Sequence, residues 1–166
     1  MRPDSLAAAY GLFQVVFADM ADTLADAVFQ FRLRREPDLT FEEVFNLKFR
    51  QILSQFRDEL KHFSPDATDA SVLRLVCDSI SRLASWRNAR IHAQVRMTDS
   101  GYELYDWRTR ERLAMTCEDM EAKTREAFKA KQALIMYMPN LIVGLDIEAD
   151  IERELSRLPE LTGGDL

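Results

Sequence analysis

Residues 6–33 have the sequence LAAAYGLFQVVFADMADTLADAVFQFRL, and their apolar pattern decides the fold. The apolar side chains recur at alternating spacings of four and three residues, which places them on one stripe of an α-helix. These side chains are Leu6, Tyr10, Phe13, Phe17, Met20, Leu24, Ala27 and Phe31. The pattern predicts a first helix over about residues 5–34, which ends before Pro37 because proline cannot continue the helical hydrogen bonds.

Two further helices are predicted in the next part of the chain. Thr40 and Glu43 have the spacing of a capping box, which marks a helix start, and phenylalanines recur behind them at helical spacing. We therefore predict a second helix over about residues 41–62. A third helix is predicted over about residues 68–92, where aliphatic side chains recur every three or four positions.

The period of the apolar residues changes after the third helix. Short alternating segments with a glycine-containing turn predict a small β-hairpin or β-meander at about 94–115. A capping-box pattern that starts at Thr116 predicts a helix over about 117–137, which Pro139 stops or kinks. A last amphipathic helix is predicted over about 145–158.

Length and composition indicate one compact, mainly helical domain. The chain has 166 residues, of which 47% are hydrophobic and 30% charged, enough for a sizeable core. Five glycines and five prolines are too few for the frequent turns of an all-β fold. We predict an up-and-down helical bundle with the β insertion after the third helix, one domain over residues 1–160, and a flexible tail at 161–166.

The charge of the chain is acidic overall but unevenly distributed. The formal net charge is −6, which argues against a protein that coats nucleic acid non-specifically. Residues 82–112 nevertheless hold seven arginines against four carboxylates, a net charge of +3 that leaves −9 for the rest of the chain. With Tyr102, Tyr105 and Trp107 among them, these arginines could seat a phosphate backbone, or they could pair with acids while the aromatic rings pack on the helices.

Other classes of protein and site find little support in the sequence. No apolar run approaches the roughly 18 residues of a membrane span and no signal-peptide pattern leads the chain, so a cytoplasmic protein is expected. Cys77 and Cys117 are expected to be small apolar side chains, and they make no metal-binding spacing with the histidines, so neither a metal nor another cofactor is predicted. Asp19, Asp22 and Asp26 form a carboxylate row, for which a solvated helix face is the expected explanation.

One of the two histidines closes a pattern that could carry chemistry. In the segment WRNARIH, Arg87, Asn88 and His92 form R-N-x-x-x-H at the end of the predicted third helix. Arg57 and His62 repeat the spacing between arginine and histidine. Charged neighbours place His62 on a solvated helix end, so we prefer the pattern that ends at His92.

Arg87, Asn88 and His92, followed by a short hairpin, resemble the signature of the HEPN superfamily. Members of this superfamily are small α-helical domains with an Arg, a polar residue and a His on a late helix; many are metal-independent endoribonucleases, and others are non-catalytic partners. The resemblance implies a HEPN-like bundle and a homodimer in which both copies of the motif converge on one cleft. It also implies an RNA substrate, a role in bacterial defence or a toxin–antitoxin pair, and an antitoxin or neighbouring protein as partner.

Cleavage of RNA without a metal gives each residue of the pattern a role. The 2′-hydroxyl can attack the adjacent phosphorus when a base takes its proton, an acid protonates the leaving 5′ oxygen, and positive charge faces the phosphate oxygens. His92 is the candidate base or acid, Arg87 the phosphate-binding cation, and Asn88 the residue that orients the imidazole from one helical turn away. The candidate substrate-binding residues are Arg82, Arg90 and Arg96.

Two other functions remain open at the level of sequence. A non-catalytic HEPN-like module would bind a protein partner or nucleic acid through the first helix and the hairpin. A helical scaffold without any contact to nucleic acid is the third possibility. An exposed His92 in an arginine-lined cleft would favour the nuclease, whereas burial of His92 against the hairpin would favour the module.

Overall fold

The computed structural model describes residues 6–64, 67–98, 101–106, 109–113 and 115–162. These residues form five α-helices and three short strands, which confirms a mainly helical protein with a small β insertion. In chain order the elements are α1 (Leu6–Leu33), α2 (Phe41–Phe45), α3 (Phe49–Leu60), α4 (Thr68–Ile91), β1 (Gln94–Thr98), β2 (Gly101–Tyr105), β3 (Arg112–Leu113) and α5 (Cys117–Thr162).

The apolar stripe of α1 lies at the centre of the core, as its spacing predicts. Six of its side chains are buried, namely Phe13, Phe17, Met20, Leu24, Ala27 and Phe31, while Leu6 and Tyr10 are partly buried against the same cluster. The other walls of the core come from α3, α4 and α5. Full burial of one large apolar side chain stabilises the fold by about 1.5–3 kcal/mol, so this stripe provides a large part of the driving force.

Helices α1 and α3 run in the same direction, which corrects the predicted up-and-down order. The ring centroids of Phe17 and Phe49 lie 5.3 Å apart, and farther along both helices those of Phe31 and Phe56 lie 6.0 Å apart. Residue numbers at the contacts therefore rise along both helices together, as they do in a parallel pair. The segment that contains α2 takes the chain back along α1 from Phe29 to Phe17, and this return allows α3 to run parallel to α1.

The helices that follow α3 along the chain alternate in direction. Arg57 on α3 binds Asp78 on α4 at 2.9 Å, and the Arg74 guanidinium donates to the Leu60 carbonyl at 2.8 Å, so α3 and α4 are antiparallel. Helix α5 runs antiparallel to α4, since Glu126 accepts from Ser79 whereas Asp119 lies beside Arg90. The up-and-down order holds for α3, α4 and α5 alone.

The predicted second helix is two helices, with a break at residues 46–48. Phe41 packs against Phe29 near the end of α1, whereas Phe49 packs against Phe17, about 18 Å earlier along that helix. Eight helical residues advance only about 12 Å, so a straight helix cannot make both contacts. The new helix starts where the Gln51 side chain accepts from the backbone N–H of Lys48 at 2.9 Å.

Helix α5 is continuous from Cys117 to Thr162, so the helix does not stop at Pro139, and the separate helix predicted over about 145–158 is part of α5. Leu134 and Leu141 are buried on either side of the proline, whereas Pro139 and Ile135 are exposed. Pro139 has no N–H, so the carbonyl of Ile135 lacks its helical hydrogen bond. Because Ile135 is exposed, this carbonyl lies on the solvent side, where water can replace the missing bond. Packing of the opposite face on the core keeps both halves in one helix.

The predicted β insertion is a three-stranded antiparallel meander in the order β1, β2, β3. Val95 pairs with Leu104 and Thr98 with Gly101 in the first pair, and Leu104 pairs with Leu113 in the second. The segment joining α4 to this sheet is only His92 and Ala93, so the sheet begins directly beyond the candidate histidine.

Both predicted capping boxes and part of the predicted tail fall within the described residues. Thr40 donates to Glu43 through N–H and hydroxyl at 2.8 and 2.9 Å, and Thr116 binds Asp119 in the same manner, so both capping boxes are confirmed. Of the predicted tail, 161 and 162 are helical and 163–166 lie outside the described residues. No helix in the described part of the chain is long and apolar enough to cross a membrane.

Truncation of a leucine tests the position of the core. Leu24→Ala is expected to lower the free energy of unfolding by about 2–5 kcal/mol, because Leu24 is fully buried on α1 and its loss leaves a cavity. Leu75→Ala is the matched control, since this leucine of α4 is 71% exposed, and it should change stability by less than about 0.5 kcal/mol. Urea unfolding followed by circular dichroism measures both values. Equal losses would contradict the described core.

Candidate functional site

The carboxyl-terminal end of α4 is held in place by aromatic packing. The Trp86 ring meets Phe13 of α1 edge to face, with centroids 5.2 Å apart and planes at 82°. The guanidinium of Arg90 lies over the Trp86 ring, 3.9 Å from its centre, and donates to the Trp86 carbonyl at 3.2 Å. These contacts fix the rotation of α4 about its axis and therefore the direction in which the motif residues face.

Arg87 is half-buried between α4 and α1. Its Nε donates to the Gln14 side-chain oxygen at 2.8 Å, and its guanidinium carbon lies 4.9 Å from the centre of the Phe17 ring. The bond uses Nε, and within the described residues the two terminal nitrogens make no hydrogen bond. Arg87 is therefore anchored by one edge and can present its other edge to an anion.

A cleft of about 460 Å³ opens between α3 and α4 beside this arginine. Its lining combines three cationic side chains, three small polar ones and an apolar floor. They are, in this order, Lys48, Arg50 and Arg87; Ser81, Ser85 and Asn88; and Phe17, Phe49, Leu53 and Ala84. No carboxylate occurs among these described lining residues, so the cleft is a cationic site on an acidic protein.

His92 lies at the end of α4, one turn beyond the part of the helix that lines the cleft. It is the C-cap residue and is exposed, and its backbone N–H donates to the Asn88 carbonyl at 3.2 Å. Residues four apart share a helical face, so His92 follows Asn88 about 6 Å farther along the same side. Asn88 is also exposed, and Arg87 and Asn88 both line the cleft, whereas His92 is not among the residues that line it.

The predicted substrate-binding arginines do not gather in the cleft. Arg82 and Arg90 lie on the α5 side of α4, where they face Glu126 and Asp119 respectively. Burial lowers the pKa of Arg90, and its stacking on Trp86 gives it a packing role. Arg96 lies on β1 with its Cα opposite that of Glu103, and its side chain lies outside the described residues.

The sequence analysis does not identify three residues of the site, namely Lys48, Arg50 and Gln14. Lys48 falls inside a predicted helix that is in fact broken there, so its position at a helix start was hidden. Arg50 follows it, on the first turn of α3. Gln14 lies in α1 as a single polar residue among apolar neighbours in the sequence, and this signal could have indicated a buried polar contact.

His62, the histidine of the alternative pattern, lies away from the cleft and has other partners. His62 is exposed just after α3, with Nε2 3.5 Å from a terminal nitrogen of Arg35. Arg57 is engaged with Asp78 on α4 and also reaches the Cys77 carbonyl at 3.4 Å. These contacts fit a solvated helix end, and none of the residues borders the α3–α4 cleft.

The two cysteines and the carboxylate row are the other residues that the sequence analysis singled out. No group of three or more metal-ligating side chains is found in the described part of the chain. Cys77 is buried, and its burial raises the pKa of the thiol to about 11, while Cys117 is half-buried at the start of α5. Asp22 and Asp26 are exposed on α1, consistent with a solvated face.

In comparisons with known proteins, no protein-family model matches the chain, and neither a curated protein nor a solved structure does.

The bond between Arg87 and Gln14 can be tested by a double-mutant cycle. Arg87→Ala is expected to lower stability by about 1–3 kcal/mol, because Gln14 Nε2 is already buried without a partner in the described chain and the carboxamide would lose its remaining bond. In a Gln14→Leu background the same change should cost less, with a coupling energy of about 0.5–3 kcal/mol from urea unfolding. Additive effects would contradict the described contact.

Proposed function

We propose that this chain is a HEPN-like metal-independent endoribonuclease that works as a homodimer. The observation that carries the proposal is the placement of an exposed His92 one helical turn beyond Asn88, which lines a cleft together with Lys48, Arg50 and Arg87. An exposed imidazole can act as an acid or a base toward a substrate, and the three cations that line the cleft can hold a phosphate.

The proposed reaction is attack by the 2′-hydroxyl of RNA on its own 3′ phosphorus. Neutral His92 of one copy takes the 2′ proton while the 2′ oxygen forms a bond to phosphorus. The bond from phosphorus to the 5′ oxygen breaks, and protonated His92 of the second copy donates the proton that this oxygen receives. The products are a 2′,3′-cyclic phosphate and a free 5′-hydroxyl, so atoms and charge balance without a metal.

Arg87 and Asn88 act on the phosphate and on the imidazole in this scheme. The anchored guanidinium of Arg87 would meet the negative charge that develops on the phosphate oxygens, with its terminal nitrogens as donors. Preorganisation favours such a role, because the bond to Gln14 and the Phe17 ring hold the group before substrate arrives. Asn88 lies on the helical face of His92 and would restrict the orientation of its ring.

The cellular setting of the proposal follows from the resemblance to the HEPN superfamily. A bacterial defence system or a toxin–antitoxin pair in the cytoplasm would provide the RNA target, with an antitoxin or neighbouring protein as partner. A helical domain with a net charge of −6 has little affinity for bulk nucleic acid, so cleavage would depend on the local cationic cleft.

The two histidines provide a matched test of the nuclease. His92→Ala is expected to lower the rate of cleavage of single-stranded RNA in EDTA by about 10²–10⁴-fold, the usual contribution of an acid–base group. His62→Ala should leave the rate unchanged, because His62 is also exposed but lies at the end of a different helix, where no described residue borders the cleft. The rates are measured on a fluorescent oligonucleotide with both variants checked for folding by circular dichroism. Equal rates for wild type and His92→Ala would overturn the assignment.

A non-catalytic interaction module is the second candidate, and one surface favours it. Apolar side chains are exposed beside the contact between α1 and α5, on either side of the Asp19–Lys131 ion pair. They are Leu12, Val15, Phe128 and Ile135. Such a cluster on a soluble domain is typical of a surface that another protein covers, and in a homodimer that protein is a second copy.

Sedimentation tests the dimer that both proposals need, and cleavage of RNA by that dimer then distinguishes the nuclease from the module. Phe128→Asp is expected to shift the protein from dimer to monomer, because a carboxylate in an apolar contact would be buried without a partner. Leu75→Asp, at an exposed leucine of α4, is the control and should leave the dimer intact. A wild type that dimerises through this surface and leaves RNA intact would favour the module. A wild type that is monomeric at all concentrations would contradict the homodimer in both proposals.

A further inference from the structure

We propose that the first turn of α3, with Lys48 and Arg50, binds the backbone of single-stranded RNA next to the bond that is cut. The inference rests on the proposed nuclease for its substrate, and on the cleft itself for its position. It adds two residues from a helix that does not belong to the motif around Arg87 and His92.

The charge of the cleft points to an anionic ligand. Lys48 lies just before α3, Arg50 within its first turn and Arg87 on α4, so three cations from two separate parts of the chain face one cavity. Within the described residues neither Lys48 nor Arg50 forms an ion pair, although the chain has more acids than bases. Like charges gathered without counter-charges repel each other, and a bound phosphate relieves that repulsion.

The backbone at the start of α3 adds donors to the same place. The Gln51 side chain already accepts from the N–H of Lys48, and the N–H of Gln51 donates back to the Lys48 carbonyl at 2.7 Å. The N–H groups of Phe49 and Arg50, in the first turn, have no acceptor within an α-helix. Free N–H groups at a helix start favour an anion, and here they coincide with the cationic side chains.

The floor of the cleft indicates a nucleotide rather than a bare phosphate. Phe49, Leu53 and Ala84 provide apolar surface next to the cations, and Phe49 is half-buried, so its ring retains an accessible part. A base can stack on such a ring, while Ser85 and Asn88 can hydrogen-bond to its edge. The volume of about 460 Å³ lies within the range of small-ligand sites and suits one unpaired nucleotide.

The position of the cleft determines where the bound nucleotide would lie relative to the phosphodiester bond that is cleaved. Asn88 borders the cleft, and His92 follows it about 6 Å farther along the same helical face. Successive phosphates of a single strand are separated by a similar distance, so a nucleotide in the cleft would place a neighbouring phosphodiester at His92. A base in a duplex cannot enter the cleft, and the substrate class is therefore single-stranded RNA.

Binding of an RNA that cannot be cut tests the subsite apart from catalysis. The probe is a short, fluorescent 2′-O-methyl oligonucleotide, which lacks the attacking hydroxyl, and its affinity is measured by anisotropy over a range of salt concentrations. Lys48→Ala/Arg50→Ala should weaken binding at least tenfold. The double variant should also reduce the slope of log affinity against log salt by about 1.4, because each phosphate of a single strand that a cation neutralises contributes about 0.7 to that slope.

A charge-matched pair on α5 provides the control. Arg125→Ala/Lys129→Ala removes one arginine and one lysine from exposed positions and should leave affinity and slope close to wild type. His92→Ala should also retain binding of the probe. Equal weakening by both double variants, or equal affinity of the wild type for single-stranded and duplex probes, would overturn the subsite.

The outcomes separate the subsite from the nuclease. If the wild type cleaves RNA and the Lys48/Arg50 double variant binds and cleaves as well as wild type, the subsite is wrong and the nuclease stands. If the probe binds as expected and no RNA is cleaved, the subsite stands as an RNA-binding cleft and the nuclease is wrong.

Discussion

Burial of the apolar stripe on α1 is the constraint on which the rest of the structure depends. Phe13 and Phe17 lie one turn apart on this stripe, and each holds a different helix: Phe13 contacts Trp86 on α4, and Phe17 contacts Phe49 at the start of α3. The end of α4 and the start of α3 are thereby held within one turn of each other along α1. The cleft is the space left between α3 and α4, so the candidate site is a consequence of how the core is packed.

Arg87 shows how closely the core and the site are joined. The side chain lies over Phe17 and binds Gln14, and it also lines the cleft. A guanidinium at the edge of an apolar core needs such partners because an unpaired buried charge is costly. The same contacts hold the group in one orientation, which is the property that binding a phosphate would require. A variant of Arg87 therefore alters both stability and function, and the two effects must be measured separately.

Local signals in the sequence predicted the helices well where caps and apolar spacing agreed. The stripe of α1 and the capping boxes at Thr40 and Thr116 are confirmed, as is the β insertion after residue 92. The errors in the helix boundaries lie at Pro139 and at the break near Lys48. Both depend on contacts with distant parts of the chain: packing on the core carries α5 through its proline, and the contacts with Phe17 and Phe29 require α2 and α3 to separate.

By itself, the sequence determined the helical character of the protein and the placement of Arg87, Asn88 and His92 at the end of one helix, because these properties follow from local spacing. Only the tertiary structure decided which side chains join them. It directed Arg82 and Arg90 toward α5, and it brought Lys48 and Arg50 from a separate helix into the cleft. The physical reason is that the rotation of each helix is fixed by the apolar face it buries, and its polar residues face wherever that burial leaves them.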